Sequence, residues 1–114
     1  MLRALPSLAF ALLIALGATP ALAQMADCTS EAQRIKRAQD ELPKLEVAPP
    51  GDRTIVCITL ETNLLFAKRL SSHLAQCPRS SLARTGTAWT KIGRDYQAQY
   101  ESRGCKQTIK GYRG

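Results

Sequence analysis

The sequence predicts an all-α protein: a small antiparallel three-helix bundle, stapled by two disulfides, after a cleaved signal peptide. Three observations predict it. Apolar residues recur at three- and four-residue spacing over three segments. Prolines at positions 43, 49, 50 and 78 fall between those segments, where they stop or kink helices. Four cysteines, Cys28, Cys57, Cys77 and Cys105, form an even set behind an export-type leader.

The leader comes first. Arg3 supplies a short positive region, and Leu8 to Leu16 is an uninterrupted apolar run. Gly17 and Pro20 break it ahead of Ala21-Leu22-Ala23, whose small residues suit a signal peptidase. Cleavage is expected after Ala23, making residues 1–23 the signal peptide and the mature chain periplasmic or secreted. The apolar run falls short of the ~20 residues that span a bilayer, so no transmembrane segment is expected in the mature chain. Asp27 directly before Cys28 does not fit a lipid-attachment motif.

The first helix opens among Asp27, Thr29 and Ser30, all good N-caps, with Ser30 and Gln33 as a capping box. Ala32, Ile35, Ala38 and Leu42 form its apolar face, and Pro43 ends it near Leu42. Val47 to Asp52 is a loop. The second helix starts near Asp52 or Thr54 and runs to Cys77. Its β-branched opening, Thr54 to Leu60, would also suit a strand, but no turn separates it from the helical stretch that follows. Val56, Leu60, Leu64, Phe66, Ala67, Leu70, Leu74 and both cysteines make a stripe half a circumference wide. Asn63 falls inside that stripe and is expected to be a buried, hydrogen-bonded amide. Ser80 or Ser81 caps the third helix, which runs from Leu82 to about Ser102. Residues 24–105 form the stapled domain, and residues 106–114 a basic, extended or flexible tail.

On the third helix Trp89, Ile92, Tyr96, Tyr100 and Leu82 share one arc with Gly86 and Gly93. Lys91 and Arg94 fall on the opposite side. The aromatics therefore form a packing stripe, with glycines that admit a close neighbour.

Helix topology selects the disulfides. Cys57 and Cys77 lie at opposite ends of one helix, about 30 Å apart at 1.5 Å per residue, and a disulfide needs Cα atoms within about 7 Å. An up-down-up arrangement then pairs Cys28 with Cys77 and Cys57 with Cys105. A metal site is disfavoured, although His73 and Cys77 share a helix face, because no C-x₂-C pair is present. No metal or cofactor is expected.

Charge is uneven. Residues 24–61 carry net −2 and residues 62–114 net +8. Arg84, Lys91 and Arg94 share one arc of the third helix, and Arg103, Lys106, Lys110 and Arg113 continue the basic set. Such a half favours anionic partners. In an exported protein these are an acidic protein or an anionic envelope polymer or lipid, and nucleic acid is not expected. Two functions follow. One is an interaction module, and the other a membrane-active effector working on anionic lipid. The basic arc has few large apolar side chains to enter a bilayer interface, which favours the module. An enzyme is not expected. His73, the single histidine, is read as a polar or partly exposed residue, since the adjacent Ser72 points about 100° away from it.

Overall fold

The computed structural model describes residues 27–114, and every regular element among them is helical. The expected signal peptide, residues 1–23, lies outside the described residues. Helix α1 covers residues 27–40, α2 Arg53–Gln76, α3 Ala83–Ser102 and α4 Cys105–Arg113. A 3₁₀ turn at Leu45–Val47 sits in the connection between α1 and α2. The described residues therefore form four helices, one more than expected.

Residues Asp27, Thr29 and Ser30 are already helical, so the expected caps and capping box do not mark the start of α1. The helix ends at residue 40, two residues ahead of Leu42. A residue before proline is pushed out of the α region, and Leu42 precedes Pro43. Asp52 is the true cap of α2, its carboxylate accepting from the Ile55 N–H at 3.0 Å. From there α2 runs unbroken through its β-branched opening, and the strand alternative for residues 54–60 falls away. Packing decides this: Val56, Cys57, Thr59 and Leu60 are all buried, which outweighs the small propensity cost of β-branching.

Paired contacts fix the helix directions. Cys28 meets Cys77 with Cα atoms 5.9 Å apart, while Asn63 reaches the Pro43 carbonyl at the far end of α1. Helices α1 and α2 therefore run antiparallel. Leu74 lies against Gly86, and Ala67 against Gly93, so α2 and α3 are antiparallel as well. Cys57 joins Cys105 with Cα atoms 5.1 Å apart. Both disulfides are the pairs expected. Each closes a loop of nearly fifty residues, worth about 4 kcal/mol in the chain-entropy account.

Two apolar clusters make the core. Ala32, Ile35, Phe66, Leu70, Leu82 and Trp89 join α1, α2 and α3. Val56, Cys57, Leu60, Cys105 and Ile109 join α2 to α4, with Tyr96 and Tyr100 of α3 packed against them. Trp89 meets Phe66 edge-on, with ring centroids 4.8 Å apart. The aromatic stripe of α3 therefore faces inward. Asn63 is buried, donating to the carbonyls of Pro43 and Thr59 at 2.9 Å each.

The C-terminal segment departs from expectation. Residues 105–113 are helical, not an extended tail. Gly104 makes the turn at φ 65°, in the left-handed region glycine enters freely. Cys105 and Ile109, one turn apart, are then both buried. Counting Cys105 as core as well as staple completes a one-turn apolar repeat.

Candidate functional site

At the end of the bundle closed by Cys28–Cys77, the chain assembles a buried polar cluster. Glu31 stands one turn after Cys28 on α1, and His73 one turn before Cys77 on α2. Once the disulfide draws the two helices together, these next positions inward must meet. His73 Nδ1 lies 2.5 Å from Glu31 Oε1, and Nε2 lies 2.6 Å from Ser80 Oγ. The His73 side chain has no exposed surface, while Glu31 keeps 39 % of its own. Ser80 Oγ also accepts the Leu82 N–H at 3.2 Å. It holds the entry to α3, although the N-cap position itself belongs to Leu82 and not to Ser80 or Ser81.

His73 is thus not the partly exposed residue expected from sequence. The signal was available: His73 follows Phe66 by seven residues and Leu70 by three, inside the apolar stripe of α2. A polar residue there must find partners. Ser80 carries no such periodic signal.

The order carboxylate, imidazole, hydroxyl is that of a Ser–His–acid relay. Here it bridges α1, α2 and the α2–α3 connection. The imidazole is closed off from solvent, and two surface cavities among the described residues, of about 520 and 310 Å³, are lined by neither Ser80 nor His73. The cluster ties α1, α2 and the α2–α3 connection with a carboxylate-to-imidazole contact, at roughly 1.5–3 kcal/mol for a hydrogen bond involving a charged group. Ligand atoms of Glu31, His73 and Cys77 all lie within 4.8 Å of one another. The closed disulfide holds the Cys77 sulfur and denies a metal its thiolate.

The basic residues lie elsewhere. Arg84, Lys91 and Arg94 are exposed on the side of α3 away from Trp89. Lys106 and Lys110 are exposed one turn apart on α4. Arg113 is not free: its guanidinium donates to Glu61 Oε1 at 2.6 Å, across to α2. Arg103 is the C-cap of α3. It lines a cleft of about 310 Å³ with Arg53, Pro50, Gly51, Val56 and Ser102. Arg53 sits in the acidic half of the sequence, so charge counting by segment misses it, and folding brings it beside Arg103. A second cavity, a groove of about 520 Å³, runs between α2 and α3. Leu64, Ala67, Leu74, Gly86 and Gly93 line it, with Lys68 and Gln97 also at its walls.

Tyr96 is a partly buried phenol whose acidity is shifted. Burial raises its pKa above the usual phenol value, and the negative charges of Glu46 and Asp95 add to the effect. Among the described residues no helix is long and apolar enough to cross a membrane. No family model, curated protein or solved structure matches the chain.

Proposed function

We propose that the protein is an exported helical binding module that grips an anionic partner, an acidic protein or envelope polymer, through its basic C-terminal half. The observation that carries this reading is the exposure of Arg84, Lys91, Arg94, Arg103, Lys106 and Lys110, none of which joins an ion pair among the described residues. Arg113 is excluded from the gripping set because Glu61 occupies it. Arg53 is added to the set through the cleft it shares with Arg103. Two disulfides in so small a chain suit an oxidising compartment.

The test is binding to immobilised polyglutamate and to anionic and neutral vesicles, at low and high salt. Binding to polyglutamate that falls steeply with salt is expected. Reversing Arg84, Lys91 and Arg94 to Glu should weaken it further. Binding indifferent to salt or to these charges would refute the reading. Sedimentation with anionic vesicles only, accompanied by leakage, would decide for the membrane-active alternative.

A further inference from the structure

The two disulfides are not equivalent. Cys57 and Cys105 are each 0 % exposed, sealed in the α2–α4 core. Cys28 is partly exposed at the start of the described chain, although its partner Cys77 is buried. Thiol–disulfide exchange requires a thiolate to reach a sulfur in line, so access ranks the two bonds. Cys28–Cys77 opens first.

What that opening uncovers is a donor set. Glu31, His73 and Cys77 already hold ligand atoms within 4.8 Å of one another, and the Cys28 sulfur is bonded to that of Cys77. Among the described residues this is the one such group. Reduction by a dithiol breaks the S–S bond, giving two thiols while the dithiol becomes a disulfide. A divalent cation then displaces the two thiol protons. Two thiolates, one imidazole and one carboxylate are a tetrahedral zinc set, with metal–ligand bonds of about 2.0–2.3 Å.

The surroundings fit as well. His73 Nδ1 points at Glu31, so a cation between them replaces the proton now held there. The other ring nitrogen, Nε2, faces Ser80 Oγ at 2.6 Å. A ligating histidine commonly donates its second N–H to an oxygen that orients the ring, and Ser80 supplies that acceptor. The site is closed to water at His73 and open at Glu31 and Cys28, which provides an entry path.

We propose that the Cys28–Cys77 end of the bundle is a redox-gated metal site. Opened by a dithiol, it binds Zn²⁺ through Cys28 Sγ, Cys77 Sγ, His73 Nδ1 and a Glu31 carboxylate oxygen, and the metal replaces the disulfide as the tie between α1 and α2. The proposal does not depend on which anionic partner the basic faces hold.

The experiment is limited reduction of the full chain with a phosphine, followed by alkylation mapping on one aliquot and Co²⁺ titration on another. Cys28 and Cys77 should alkylate while Cys57 and Cys105 stay paired. The reduced chain should bind one Co²⁺, with thiolate-to-cobalt charge transfer and the visible bands of a tetrahedral ion. The oxidised chain should show neither. Ser80→Ala, which removes an orienting oxygen and no ligand, should weaken Co²⁺ binding about 10- to 100-fold with the band shape retained. Glu31→Gln should weaken binding and alter the bands. Three results would overturn the proposal: Cys57–Cys105 opening first, no tetrahedral spectrum with both thiols free, or a spectrum and affinity unchanged by Ser80→Ala and Glu31→Gln.

Discussion

Gly86 and Gly93 lie on the same face of α3, seven residues apart, and replacing each by alanine should move stability in opposite directions. In a helix interior alanine is favoured over glycine by about 0.8–1.0 kcal/mol. At Gly93 a new Cβ would lie 3.6 Å from the Ala67 Cβ, an ordinary contact. Gly93→Ala should therefore stabilise by close to the full propensity gain. At Gly86 the new Cβ would fall 2.1 Å from Leu74 Cδ1, whereas carbon atoms rest at about 3.5–4.0 Å. Leu74 can turn its methyl away, since the clash is at the tip of a side chain. Doing so costs about 0.5–1.5 kcal/mol of rotamer strain and about 0.8 kcal/mol of lost methyl burial. Gly86→Ala should come out about 0.3–1.5 kcal/mol destabilising, leaving roughly 1.3–2.3 kcal/mol between the two variants. Urea unfolding with disulfides intact, followed by the fluorescence of the single tryptophan, measures both. Adding Leu74→Ala to Gly86→Ala should reveal a coupling of at least about 0.5 kcal/mol. Equal stabilisation by both alanines, or no coupling with Leu74, would refute the close approach of α2 and α3.

Other perturbations follow from the same contacts. Trp89→Ala should cost about 3–5 kcal/mol in the same unfolding assay; a change within about 0.5 kcal/mol would mark it as a surface residue. Asn63→Ala strips the buried bridge to the Pro43 and Thr59 carbonyls, and should cost about 1–3 kcal/mol, with faster hydrogen exchange at the α1–α2 connection. Tyr96 holds its proton more tightly folded than unfolded, so its contribution is complete below pH ~10 and is lost as pH rises through the folded pKa. Phenolate absorbance compared between the unaltered chain and Tyr96→Phe should show Tyr96 ionising late, and Tyr96→Phe should flatten the alkaline loss of stability.

Periodicity made the first three helices legible, and the pairing of cysteines followed from rigid geometry: a continuous α2 separates Cys57 from Cys77, whatever the rest of the chain does. Asn63 was legible because a lone amide inside an apolar stripe has to find carbonyls. His73 obeys the same rule and lies in the same stripe, yet its polar partners come from α1 and from the turn after α2, which no local pattern connects to it. Helix α4 was hidden by its composition. Basic residues and glycines make up six of the eleven residues 104–114, and the apolar pair that docks it includes a cysteine whose bonding role obscures its burial. The cleft shared by Arg53 and Arg103 depends on the antiparallel return of α3 to the start of α2, so charge summed along the chain divides what the fold unites.

Helix α4 has only nine residues, fewer than the 12–15 at which an isolated helix is even marginal in water. Its helicity is therefore borrowed from docking, through Cys105 and Ile109 at its core face and Arg113 at its far end. Such a segment unfolds as its own cooperative unit ahead of the global transition. The disulfide at Cys105 keeps the opened segment tethered, so it recloses at high effective concentration. Amide exchange along residues 106–113 should accordingly report an opening free energy below that of α2, and Lys106 and Lys110 should present alternately as a fixed helical stripe and as a short leashed arm.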